Sequence, residues 1–246
     1  MIIPENWFED WFNTSYYHLL YAHRSDVEAQ VFMDAVCTFL NLKKESMVLD
    51  LACGKGRHSN YLAQKGMQVI GMDLSEKNID YAKLHAAPQA QFQVGDMRHI
   101  PFENQFDLTV NLFTSFGYFN EEEDNVAVFY EVFKALKKGG YFLFDYLNPP
   151  FVLKTLHSTS SVYKGEVHIK TKKVLHGEWV QKNIEVKDGN KSFTFYEKVH
   201  LLSAEWAKTK LEKAGFQMVE HWGDYNLNPF QAELSPRSII LAKVPD

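Results

Sequence analysis

Val48-Leu49-Asp50-Leu51-Ala52-Cys53-Gly54-Lys55-Gly56-Arg57-His58-Ser59 is the stretch that decides the fold. An apolar strand runs straight into Gly-x-Gly and then into a helix start. Glycines there let the backbone turn tightly and approach a ligand with no β-carbon in the way. Gly-x-Gly alone is equally a simple turn, so the flanking residues carry the reading. Asp50 lies inside the strand, four residues before Gly54. A carboxylate aimed at that loop suits a cationic ligand and repels a pyrophosphate. Ser59 stands where a dinucleotide fingerprint has its third small residue, normally Gly or Ala, which weakens a nicotinamide reading without excluding it.

Working outward, short apolar runs at 47–52, 68–72, 91–94, 106–112 and 141–146 alternate with amphipathic stretches. Helices are expected at 58–64, 75–85 and 121–138, the last stopped by Gly139-Gly140. Strands alternating with helices predict a parallel sheet covered on both faces. After Asn148-Pro149-Pro150 the period changes: 161–175, 178–187 and 191–201 read as strands, with turn signals at Gly177 and Asp188-Gly189-Asn190. Ser203 then caps a helix to Ala214, Gly215 stops it, and 217–222 and 237–244 close the chain as strands. The expected architecture is α/β, a doubly wound sheet with an antiparallel β meander inserted at 151–201, all in one domain.

The first 24 residues hold Trp7, Phe8, Trp11, Phe12, Tyr16, Tyr17, Leu19, Leu20 and Tyr21. The Trp7/Trp11 and Phe8/Phe12 spacings are helical. So many apolar side chains are costly to leave in water, and the natural uncovered surface is the crevice at the carboxyl ends of the strands. The segment 1–24 is therefore expected to act as a lid, with Tyr16, Tyr17 and Arg24 reaching the cofactor or acceptor. Packing on the back of the sheet, or on another subunit, is the alternative. Ser25-Asp26-Val27-Glu28 reads as a capping box, leading a helix with Val31, Phe32, Ala35, Val36, Phe39 and Leu40 on one face.

Asp73 ends the second run, 19 residues after Gly54, where an acid accepts hydrogen bonds from ribose hydroxyls; Asp96 follows the third in Gly95-Asp96-Met97, placed to receive an amine. With Asp50 they put three acids at the ends of successive parallel strands. At these residues (Asp50-x-x-x-Gly54-x-Gly56, Asp73-Leu74-Ser75, Gly95-Asp96-Met97 and the run 106–118) the chain resembles the class I S-adenosylmethionine (SAM)-dependent methyltransferases. Its Asp50-Leu51-Ala52-Cys53-Gly54-Lys55-Gly56-Arg57 is similar to the UbiE-like small-molecule group. The resemblance covers 47–147 closely and the rest more loosely. It implies a Rossmann-like sheet of seven strands whose last strand is antiparallel. It also implies Asp50 near the methionine ammonium, Asp73 on the ribose and Asp96 on the adenine amine. A SAM site is expected from these residues with Ala52, Cys53, Leu74, Ser75, Asn111, Leu112 and Phe113.

The acceptor should meet the methyl group beside Thr114-Ser115-Phe116-Gly117-Tyr118-Phe119, where the aromatics are wall or core. Candidate catalytic groups are His58, Tyr17, Ser115 and Tyr118, with His18 and His23 nearby, an imidazole being able to take an acceptor proton. Asn148-Pro149-Pro150-Phe151 resembles the motif with which amino-group methyltransferases grip a planar amine, but it follows the fifth run rather than the fourth. Strand termination is the simpler reading. Cys53 reads as a packing residue, and Glu121-Glu122-Glu123-Asp124 as a solvated helix start.

The chain has 246 residues, with 26 Lys and Arg against 31 Asp and Glu, so the net charge of −5 argues against a phosphate-backbone partner. No apolar run approaches a membrane span, the two cysteines lack metal-ligand spacing, and no metal is expected. A reducing, cytoplasmic setting is the default. The function expected is methyl transfer from SAM to the oxygen or nitrogen of a small molecule. A nicotinamide-dependent oxidoreductase and a non-catalytic SAM-binding protein remain open.

Overall fold

The computed structural model describes residues 7–21, 26–156 and 159–246. Two short helices, α1 (Trp7–Phe12) and α2 (Ser15–Tyr21), precede α3 (Asp26–Phe39). Then β1 (Met47–Leu51), α4 (Arg57–Gln64), β2 (Gln68–Asp73), α5 (Glu76–Leu84), β3 (Ala90–Val94), β4 (Phe106–Asn111), α6 (Glu122–Ala135) and β5 (Leu136–Leu147) alternate. After α7 (Pro149–Lys154) come β6 (Thr159–Lys164), β7 (Val167–His176), β8 (Trp179–Asp188) and β9 (Lys191–His200), and the chain closes with α8 (Ala204–Ala214), β10 (Gln217–Trp222) and β11 (Arg237–Lys243).

The main sheet has seven strands in the order β10-β11-β5-β4-β1-β2-β3. β11 runs antiparallel to both its neighbours, and the other pairings are parallel. Both faces are covered. Phe32, Leu62 and Ile79 from α3, α4 and α5 pack on one, and Val128, Phe129 and Leu211 from α6 and α8 on the other. Phe106, Phe142 and Phe144 are fully buried, each contributing roughly 2–3 kcal/mol of apolar transfer. The strand order reverses beside β1, which places the carboxyl-end crevice over β1 and β4.

Three local readings differ from the structure. The run 161–175 is two strands, because Gly165 at φ 61° makes a two-residue hairpin that pairs Lys164 with Val167; the meander therefore has four strands. The helix expected to reach residue 138 stops at Ala135, since Leu136 is drawn into the core and pairs with Phe106. Gly139, at φ 74°, instead donates its N–H to the Val244 carbonyl. Along α3 the buried stripe is Phe32, Met33, Val36 and Cys37, while Val31 and Phe39 are exposed. Two apolar stripes overlap on that helix, and packing against α4 selects the one carrying Met33 and Cys37. Ser25 of the capping box lies outside the described residues.

Candidate active site

β1 delivers the glycine loop, in which Ala52, Gly54 and Gly56 all have positive φ, at 56°, 55° and 77°. A β-carbon on Gly56 would lie 2.5 Å from the Phe92 ring, so this glycine serves close packing of loop on sheet. At Gly54 a β-carbon would meet nothing within 4 Å, because the position faces open space. That space is a cavity of about 780 Å³, walled by the ends of β1, β2 and β4, by α1 and α2, and by β7, β8 and β9.

Asp50 is almost fully buried at the cavity wall and accepts the Ser59 hydroxyl at 2.6 Å. Burial pushes its pKa up to about 7; the Ser59 hydrogen bonds offset part of that rise, and Asp73 adds to it. Ser59, completely buried, thus supplies a hydroxyl to this carboxylate as well as being small. Asp73 bridges two loops, its Oδ2 accepting from the Gly54 N–H at 2.8 Å and its Oδ1 from the Ser75 N–H at 2.9 Å. Its pKa is raised, chiefly by burial. Each oxygen keeps lone-pair capacity for a ligand hydroxyl. Asp96 also faces the cavity, with both oxygens accepting from the Arg98 guanidinium at 2.6–3.1 Å. Burial raises its pKa, but the Arg98 hydrogen bonds and charge outweigh that and leave it below its ordinary value.

At the end of β4, Phe113 and Thr114 occupy the left-handed region at φ 58° and 64°. Two such non-glycine residues in a row cost about 1–3 kcal/mol each and persist only where the surroundings over-determine them. Here the cause is Asp145 of β5, which is inaccessible to water. It accepts the Phe113 N–H at 2.7 Å, the Tyr225 hydroxyl at 3.1 Å and the Arg237 Nε–H at 2.8 Å, and Arg237 also donates to the Thr114 hydroxyl. An ion pair between the buried Asp145 and the partly buried Arg237 thus sets the loop that walls the cavity.

The helices α1 and α2 lie between this crevice and the four-stranded sheet. Trp7, Trp11 and Leu20 form a core with Ile169, Ile184 and Val186, while Phe8, Phe12, Tyr17, His18 and Tyr21 face the cavity. Tyr118 joins the two parts, its ring packing on Trp7 and Phe12 with centroids 5.5 and 5.6 Å away.

Of the residues read from the sequence, Asp50, Ala52, Cys53, Gly54, Arg57, Asp73, Leu74, Gly95, Asp96, Met97, Leu112, Phe113, Tyr17, His58, Ser115 and Tyr118 line this one cavity. Four stand behind it or away from it. Gly56 is packed on Phe92, and Ser75 caps α5 by accepting the Asn78 N–H at 3.1 Å. Asn111 uses its amide N–H groups on the carbonyls of Leu51 and Ser115. Tyr16 is turned to the second sheet, donating to Asp188 at 2.8 Å and packing on Phe193, because the helical period that aims Tyr17 inward aims its neighbour out. Arg24 and His23 lie outside the described residues. His58 stacks on Phe113, and burial, with the Arg57 charge, pushes its pKa down to about 3, so it stays neutral and weakly basic near pH 7. Asn148 points away, both amide N–H groups going to the carbonyls of Ala232 and Ser235 at 2.8 and 2.7 Å, while Pro149 starts α7. That is the strand-terminating role. Asp145, Arg237, Arg98, Lys173, Lys182 and Glu197 are cavity or support residues that the sequence reading missed. Only Asp145 carried a local signal, an acid inside an apolar strand as at Asp50. Among the described residues no group of three His, Cys, Asp or Glu could hold a metal ion, and no helix is long and apolar enough to cross a membrane.

Residues 48–140 match the family model described as a methyltransferase domain. Over 95 residues the chain is 32% identical to the dTDP-3-amino-3,4,6-trideoxy-alpha-D-glucopyranose N,N-dimethyltransferase of Streptomyces venezuelae, covering 39% of this chain and 40% of that protein. Over 104 residues it is 35% identical to the ubiquinone biosynthesis O-methyltransferase of Idiomarina loihiensis, covering 41% and 42%. The chain spans less than half the length of the curated relatives it matches. Similarity of fold extends further. A SAM-dependent methyltransferase from Clostridium acetobutylicum superposes with a TM-score of 0.79 at 22% identity, over 94% of this chain and 96% of that one. DesVI of Streptomyces venezuelae gives 0.72 at 22% identity, over 94% and 97%. Residues 48–140 thus match a methyltransferase domain in sequence, and the whole chain shares the fold of solved SAM-dependent methyltransferases.

Proposed function

We propose that the protein transfers a methyl group from SAM to the oxygen or nitrogen of a small-molecule acceptor. Asp50 carries this reading: a buried carboxylate at the cavity wall, hydrogen-bonded by Ser59 and, among the described residues, in no ion pair. A cation is the ligand group that relieves it, and the nicotinamide reading offers a pyrophosphate instead. The open position at Gly54 and the spare lone pairs of Asp73 fit the remainder of a nucleoside ligand. When bound, SAM supplies an electrophilic methyl group on a sulfonium that leaves as a neutral thioether.

The protein's part is then to hold and to exclude. Asp50 takes the ammonium, Asp73 the ribose hydroxyls and Asp96 the adenine amine, with Arg98 keeping Asp96 ionised. The loop 113–119, locked by Asp145 and Arg237, presents a fixed wall to the acceptor, and α1 and α2 act as a lid that keeps water out. Positioning of this kind supplies several kcal/mol of barrier reduction. His58, held neutral with a depressed pKa, orients rather than carries a proton. Small-molecule O- and N-methyltransferases among the matched relatives support an acceptor of that size. Calorimetric titration with SAM, S-adenosylhomocysteine and NADH tests the reading. Micromolar binding of the first two and none of the third is expected, and the reverse order overturns it.

A further inference from the structure

The face of the four-stranded sheet that looks into the cavity follows the pleat, and Ile169, Ile184, Val180 and Val199 make it apolar. One cross-strand row interrupts it: Lys173 of β7 lies directly opposite Lys182 of β8, which lies opposite Glu197 of β9. All three line the cavity. The row holds two cations and one anion, and the anion is already satisfied. Glu197 accepts from the Trp11 indole N–H at 2.8 Å, from the Tyr21 hydroxyl at 2.6 Å and from Lys182 Nζ at 2.7 Å. Lys182 also contacts the Tyr21 hydroxyl. The second lysine is left over. Glu197 is two strands from Lys173, roughly 10 Å at ordinary strand spacing. Lys173 makes no hydrogen bond or ion pair with a described residue, and its nearest cross-strand partner carries the same charge.

Like charges directly opposite on neighbouring strands are destabilising, and a half-buried ammonium adds a desolvation cost. The pKa of Lys173 is pushed down by burial and by Lys182, with Glu197 offsetting only part. Among the other cavity cations, Arg98 and Arg237 are paired with Asp96 and Asp145, while Lys55 and Arg57 stand in or beside the glycine loop, over the rings of Tyr81 and Phe113. The acids that suit a cationic cofactor stand at the ends of β1, β2 and β3, whereas this surplus cation stands on the second sheet among apolar side chains.

On the methyl-transfer reading above, we propose that the acceptor is an anion: an apolar body lying against Phe12, Tyr118 and Val180, with a carboxylate or phosphate group paired to Lys173. Lys173 is then the specificity-determining residue of the acceptor site.

The test is a calorimetric titration of phenylacetate, phenyl phosphate and neutral benzyl alcohol into the whole protein, with and without saturating S-adenosylhomocysteine. The wild type is expected to bind at least one anionic probe tenfold or more tightly than benzyl alcohol, and the better of the two distinguishes carboxylate from phosphate. In Lys173→Met that preference disappears, while affinity for benzyl alcohol and for S-adenosylhomocysteine changes less than twofold. Lys173→Arg retains the preference, and Lys173→Gln serves if the methionine variant folds poorly. Equal or absent binding of both anions in the wild type, or an undiminished preference in Lys173→Met, overturns the proposal. Failure of the wild type to bind S-adenosylhomocysteine overturns the methyl-transfer reading instead, and the anion preference is still read in the titration without it.

Discussion

Replacing Asp50 by Asn should make the ligand-free protein more stable and its cofactor binding worse, with opposite dependences on pH. Burial lifts the Asp50 pKa from 3.8 to about 7. At about 1.4 kcal/mol per pH unit, keeping this carboxylate ionised in the fold costs roughly 4 kcal/mol. The folded-state pKa lies above the unfolded one, so the native state binds the extra proton. Asp50 is therefore without penalty below pH 4, loses stability progressively as pH rises to 7, and carries the full cost above it. Asparagine has the same shape and no charge, and the Ser59 hydroxyl can rotate to accept from the new amide. Denaturant unfolding should then show Asp50→Asn about 2–4 kcal/mol more stable than wild type at pH 8, the gain shrinking towards zero near pH 4. Ligand binding runs the other way. An ammonium group needs the ionised carboxylate, so wild-type affinity for S-adenosylhomocysteine should weaken about tenfold from pH 8 to pH 6. The variant, lacking the charged contact, should bind roughly ten- to a hundredfold more weakly with no such slope. A variant less stable than wild type at pH 8, or a wild-type affinity that is flat between pH 6 and 8, would refute the placement of a cationic group on Asp50.

Asp73→Ala removes the acceptor of the Gly54 and Ser75 N–H groups and should weaken SAM binding about ten- to a hundredfold by calorimetry. Asn148→Ala should leave SAM affinity and turnover nearly unchanged but lower unfolding stability by roughly 1–3 kcal/mol, because two carbonyls lose their donors. Asp145→Ala strands the partly buried Arg237 and should cost about 3 kcal/mol in denaturant unfolding, releasing Phe113 and Thr114 from their left-handed geometry. Hydrogen exchange with and without S-adenosylhomocysteine should show protection appearing in residues 10–21 if α1 and α2 close over the ligand; unchanged exchange there speaks against a lid.

The strand–glycine loop–helix at 48–59, the acids ending the next two strands and the alternation out to residue 147 were legible in the sequence because each is written within a few consecutive residues. Turn chemistry, strand length and hydrophobic period act locally, so the doubly wound sheet and most of the cavity wall formed by the ends of its strands follow from them. Local rules ran out where long-range pairing competed. Leu136 left its helix to pair with Phe106, and α3 buried Met33 and Cys37 rather than Val31 and Phe39. Neither periodicity nor propensity ranks two such alternatives without the partner surface. The cavity wall formed by the second sheet is wholly of this kind. Lys173, Lys182 and Glu197 form one charged row only because β7, β8 and β9 pair in a particular register, and Trp11 and Tyr21 reach that row from the other end of the chain. Asp145 and Arg237 set the backbone of Phe113 and Thr114 from strands that follow it in sequence. Charge balance in a cavity is a property of which side chains meet, and only the tertiary structure decides that.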